Sequence, residues 1–176
     1  MQMSDVKVGI LMGSDSDLGI VSDACKTLEE FGVGFDVKVL SAHRSPDLVH
    51  KYVTGAKGKG VKVIIAAAGG AAHLAGVCAS LTTLPVIGIP VQAKTLDGLD
   101  SLLSTVQMPP GVPVATVGIN ASKNAALLAL QILGTSDNEI SEKMNKYKAD
   151  LKSSIEIKNQ KISELGYKKY LEEKGK

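Results

Sequence analysis

Three short stretches of this chain carry side chains suited to proton transfer and anion binding. Ser41-Ala42-His43-Arg44-Ser45-Pro46 places a hydroxyl, an imidazole and a guanidinium close together. Gly13-Ser14-Asp15-Ser16-Asp17 offers hydroxyls and carboxylates after a turn glycine, and Ala68-Gly69-Gly70-Ala71-Ala72-His73-Leu74 sets an imidazole in an apolar run. Imidazole titrates near neutrality, so His43 or His73 can take up and return a proton within one turnover. Arg44 suits a phosphate or carboxylate. Ser14 and Ser16, with the free N–H groups of a following helix, also suit a phosphate. Asp17 suits sugar hydroxyls instead, because a carboxylate repels phosphate. Each residue has a plainer role too: Ser or Asp as a helix cap, Arg44 solvated, His43 a surface residue, His73 a hydrogen-bonded core residue.

The elements around these stretches follow one pattern. Each stretch comes after a short apolar run that suits a buried parallel strand, over residues 6–12, 35–40 and 61–67. Each leads into a helix: a pattern through Ile20, Val21, Ala24 and Leu28 to Phe31, a second over residues 46–56, and a third over 72–81. Pro46 fits the first helical turn and makes Ser45 the expected cap. The alternation continues with a strand over 85–89 bounded by Pro90, a helix over 96–106, a strand over 112–117 and a helix opened by Asn120-Ala121-Ser122 and running to Leu133. Five β–α alternations predict an α/β fold, a three-layer parallel sheet of flavodoxin type with helices on both faces. Ligands of such sheets bind outside the carboxyl ends of the strands, where all three stretches fall. Together they suit a phosphorylated, flat heterocycle.

From Asn138 the pattern changes. Ser136 and Glu139 form a candidate capping box, and Ile140, Met144, Tyr147, Leu151 and Ile155 recur on one helical face. One long amphipathic helix, broken near Gly166, is expected. Residues 1–135 then form the α/β catalytic unit, and 136–176 a helical extension that packs against another subunit.

Composition removes several function classes. At 176 residues the chain holds one well-buried core. Aromatics are 3% and the net charge is +2, which leaves no footprint for nucleic acid or a membrane surface. Cys25 and Cys78 make no disulfide framework and no metal-ligand spacing, so a reduced, cytoplasmic setting is expected. The N-terminus shows no secretory signal. Residues 63–81 are apolar enough for a membrane check, but Gly69-Gly70 divides them into a strand, a turn and a helix. No nucleophile elbow, P-loop or dinucleotide fingerprint is present.

Five motifs in order, GSDSD at 13–17, SAHRSP at 41–46, AGGAAHLAG at 68–76, LPVIGIPV at 84–91 and DSLLSTVQMPPGVPVATVGI at 100–119, resemble the PurE family of purine biosynthesis. The resemblance covers roughly residues 6–133. It is to class I, the N5-carboxyaminoimidazole ribonucleotide mutases, more than to class II. Class II carboxylates aminoimidazole ribonucleotide directly, typically has Lys after the active-site His, and lacks the GGAAHL run. The resemblance implies His43 as catalytic imidazole and Ser14, Asp17 and Arg44 at nucleotide-binding positions, with Ser16 and Ser41 nearby. It implies that His73 and the Gly69-Gly70 backbone line a carboxylate pocket. The implied reaction detaches carbon dioxide from the carbamate nitrogen and rejoins it at ring carbon 4, with His43 shuttling the proton. No cofactor or metal is implied. The partners implied are the nucleotide, trapped carbon dioxide and further copies in a homo-octamer, with Gln107-Met108-Pro109 reaching a neighbour's site. Against the family pattern, Leu18 replaces a usual Trp, Ala75 replaces a usual Pro, and residues 118–124 are one residue short. The alternatives are the direct carboxylase and a non-catalytic nucleotide-binding module.

Overall fold

The computed structural model describes residues 5–175. Met1–Ser4, most of the stretch read above for a secretory signal, lie outside the described residues. Five parallel strands, β1 (Val6–Met12), β2 (Gly34–Val39), β3 (Val63–Gly69), β4 (Val86–Val91) and β5 (Ala115–Thr116), lie in the order β2-β1-β3-β4-β5. The helices are α1 (Leu18–Phe31), α2 (Pro46–Ala56), α3 (Leu74–Ser80), α4 (Leu99–Val106), α5 (Ser122–Gly134) and α6 (Asn138–Lys174). This is the doubly wound α/β sheet expected from the alternation.

Both faces of the sheet are covered. Val8, Ile10 and Met12 of β1 join Ile65, Ile87 and Ile89 under α1 and α5. Leu11, Ile64, Ala66 and Val86 point the other way, under α2 and α3. Each such aliphatic side chain, fully buried, contributes about 1.5–3 kcal/mol. The layers pack closely. A Cβ on Gly9 would stand 2.6 Å from the Tyr52 hydroxyl, so α2 can approach β1 only over glycine.

Several boundaries differ from those expected, each for a local reason. β3 begins at Val63 instead of 61, because the Val61 N–H closes the end of α2 by donating to the Ala56 carbonyl. β4 passes through Pro90 instead of ending before it. The Pro90 carbonyl faces the β5 side and accepts from Asn120 N, and β5 pairs only with Ile87 and Gly88, so the missing N–H deprives no ladder partner. β5 shrinks to two residues, since Pro113 cannot donate to a ladder. The helix expected over 96–106 splits: Leu96, Asp97 and Gly98 have φ of 53°, 49° and 91°, and the α-helix starts at Leu99. α3 starts at Leu74, not 72.

The expected capping box at Ser136 and Glu139 is not formed. Asp137 caps α6, its carboxylate accepting the Ile140 N–H at 3.2 Å, while the Ser136 hydroxyl donates to the Leu133 carbonyl. Ser45 occupies the cap position of α2 without capping it. Its hydroxyl instead accepts from Ser41 N and donates to Ser41 O, closing the turn that carries His43. The break expected near Gly166 is present (φ 73°, ψ 154°). Lys161 and Glu173 meet at 2.7 Å across it, whereas twelve residues of straight helix span about 18 Å, so the last segment folds back.

Candidate active site

With strand order 2-1-3-4-5, the chain leaves β1 in one direction and β3 in the other, which opens a crevice between their carboxyl ends. A cavity of about 380 Å³ lies there. Its walls come from the loops after β1 (Gly13, Ser14, Ser16, Asp17), β2 (Ser41, Ala42, His43, Arg44) and β3 (Ala68, Gly69, Ala71, His73). Of the nine residues singled out in the sequence, eight line it. Gly70 does not: it forms the apex of the β3–α3 turn with φ 63°, a conformation that glycine adopts without strain.

The two imidazoles meet. His43 Nε2 lies 2.8 Å from His73 Nδ1 with the rings edge to face, so one nitrogen donates and the other accepts. The sequence placed both at strand ends but gave no sign of this contact, since thirty residues separate them. A His–His bond of this kind fixes both ring orientations.

Arg44 is held from two sides. Its guanidinium donates to the Gly13 carbonyl and, through Nε, to the Ser41 hydroxyl at 3.4 Å, while its backbone N–H reaches the same hydroxyl at 3.2 Å. Two of the five guanidinium donors are thereby used. The Gly13 carbonyl had no signal in the sequence, because a backbone acceptor carries no residue type.

On the facing loop, Ser16 Oγ donates to Ser14 Oγ at 2.8 Å, and Ser14 Oγ also accepts the Ser16 N–H. Burial raises the Asp17 carboxyl above its ordinary range; the Ser16 hydroxyl, a backbone bond and the positive charge of Arg44 oppose that rise without cancelling it. A cation, hydroxyls, a partly desolvated carboxylate and two imidazoles thus line one crevice. That set can hold a phosphate at one end, a polyol beside it, and a reacting atom against a proton carrier. Among the described residues, no group of three or more His, Cys, Asp or Glu is placed to hold a metal.

The family described as AIR carboxylase matches residues 7–154, most of the chain. The chain belongs to the AIR carboxylase family. A Pyrococcus abyssi relative named N5-carboxyaminoimidazole ribonucleotide mutase is 60% identical over 94% of this chain and 95% of its own. A Thermotoga maritima relative of the same name is 54% identical over 96% and 98%. A Saccharomyces cerevisiae relative named phosphoribosylaminoimidazole carboxylase is 53% identical over 95% of this chain but only 29% of its own. The crystal structure of Treponema denticola PurE is similar at a TM-score of 0.80 and 29% identity, over 90% of this chain and 98% of that one.

In this member of the AIR carboxylase family the departures noted above fall outside the cavity wall. Leu18 is half exposed and Ala75 is buried facing Gly88. Asn120, with φ 58°, anchors the shortened 118–124 segment by accepting the Gln92 N–H at 2.9 Å. None of these residues lines the cavity.

Proposed function

We propose that the protein is an N5-carboxyaminoimidazole ribonucleotide mutase, an isomerase that forms 4-carboxy-5-aminoimidazole ribonucleotide in purine biosynthesis. One observation carries it: His43, joined to His73, lines the same crevice as Arg44, Ser14 and Asp17. The mutase name is favoured over the carboxylase name because the chain spans nearly all of the mutase-named relatives and under a third of the carboxylase-named one. Arg44 directly after His43, and the Gly69–Leu74 run, agree with it.

In this mechanism the nucleotide phosphate is held by Arg44 and the Ser14–Ser16 turn, and the ribose by Asp17, with Ser41 fixing Arg44 in place. The imidazole ring then lies between His43 and the Gly69 backbone. The N–carboxylate bond breaks, and the amine nitrogen takes a proton from His43. The enamine-like ring attacks the released carbon dioxide through carbon 4, that carbon's proton passes to His43, and the proton balance closes within one turnover. Success depends on keeping carbon dioxide beside the ring and water away. Gly69 lets the ligand approach the backbone, and His73 orients the carboxylate.

The assembly we propose is a homo-octamer in the cytoplasm. Residues 1–135 form the catalytic unit, and the 136–176 extension packs between subunits. The exposed apolar residues of α6 support this packing, and no described helix is long and apolar enough to cross a membrane. The nucleotide-binding roles are tested by Arg44→Ala. It should raise KM for the carbamate about 10- to 100-fold, in keeping with loss of a charge-assisted contact of about 1.5–3 kcal/mol; an unchanged KM would place the phosphate elsewhere.

A further inference from the structure

The turn that carries His73 has few ties of its own. Gly69 lies against the Val91 carbonyl, Gly70 is left-handed, and the His73 N–H reaches only back to the Ala71 carbonyl at 2.9 Å. Besides His43, which meets His73 itself, a side chain from α4 closes on it. Ser104, on α4, accepts the buried Ala72 N–H at 3.0 Å, and its own proton goes to the Asp100 carbonyl at 2.8 Å. The Gly70 carbonyl is 3.3 Å from the same hydroxyl. Ser104 therefore ties α4 to the residue immediately before His73. Beside it opens an apolar groove of about 280 Å³, which Ser104 lines together with His73, Gly76 and Met108.

We propose that Ser104 is a positioning residue for the reaction: by holding Ala72 it sets His73 where its Nδ1 meets His43 Nε2. Ser104 touches no reacting atom. Its effect passes through the turn to the His–His bond, and so to the direction in which His43 presents its proton. This rests on the mutase reading for its kinetic consequence, but not for its structural one.

The test uses the full chain, labelled with 15N-histidine, and the variants Ser104→Ala and Ser104→Thr. Only three histidines are present, and His50, on the exposed face in the middle of α2, serves as the control. The parent should show a coupling between the His43 and His73 nitrogens across their shared hydrogen bond. Ser104→Ala should lose that coupling while the His50 signals stay in place. Its kcat should fall about 10- to 100-fold, as expected for a displaced reacting group, with KM nearly unchanged. Ser104→Thr, which keeps the hydroxyl, should restore both. Retained coupling and parental kcat in Ser104→Ala overturn the proposal, and so does a loss that Ser104→Thr fails to reverse. A parent without mutase turnover, whose coupling still depends on Ser104, would refute the mutase reading and leave the positioning role standing.

Discussion

The carboxyl end of the sheet and the distal part of α6 use their apolar residues in opposite ways. At the sheet, β1 and β3 are packed on both faces, so the loops after them start from fixed points, and only the edge strand β2 is partly open, with Val39 53% exposed. Along α6 the first turns are anchored: Ile140 and Met144 are buried, and Tyr147 meets the Phe31 ring edge-on at 5.9 Å. Beyond them the same helix leaves its apolar side chains in solvent, with Leu151 52%, Ile155 62% and Leu171 62% exposed. The first region has its core within one chain. The second carries the composition of a packed face without the surface that would cover it, which fits a role in assembly.

That contrast can be broken at the site first. His43→Asn keeps the size and much of the hydrogen-bonding capacity of the ring but removes its proton transfer. Turnover should fall about 10²- to 10⁴-fold with nucleotide binding and thermal midpoint preserved, as read by product assay, calorimetry and melting. Parental turnover would remove His43 from the chemistry. A smaller effect on chemistry, and a large one on assembly, is expected from deleting residues 151–176. Sedimentation should show a smaller species while the α/β unit still unfolds in one cooperative step; an unchanged assembly would show that the exposed stripe is not an interface.

Asp17 sharpens the comparison because function and stability oppose each other there. Its folded-state pKa lies above the unfolded value, so the folded chain binds that proton more tightly. Stability therefore declines as pH rises from the ordinary carboxylate range through the raised pKa, and stays lower at neutrality. Asp17→Asn should raise the melting temperature at neutral pH, by no more than about 2 °C because solvent screens the group. The gain should vanish in acid, and nucleotide affinity should fall. A variant that loses stability at neutral pH would reverse the assignment. The smallest effect belongs to the tail: Glu173→Gln breaks the exposed pair with Lys161 and should leave melting unchanged.

Much of this was legible in the residues themselves. The alternation of β-branched runs with helical spacing specifies the parallel sheet, and Ser14, Asp17, His43, Arg44 and His73 stand at strand ends because the chain reverses there. What was hidden depends on neighbours distant in sequence. Pro90 reads as a strand terminator until β5 is seen to stop short of it. Asp137 and Ser136 are equally good caps until the entry angle of α6 chooses between them. The His43–His73 bond and the Ser104 contact each join separate elements, and only the closed fold brings them together.

The most direct measurement follows formation of 4-carboxy-5-aminoimidazole ribonucleotide from two starting points. One is N5-carboxyaminoimidazole ribonucleotide, and the other is aminoimidazole ribonucleotide with low bicarbonate. Turnover from the carbamate alone is the expected result. Efficient turnover from aminoimidazole ribonucleotide, with none from the carbamate, would contradict the mutase and make the protein a direct carboxylase.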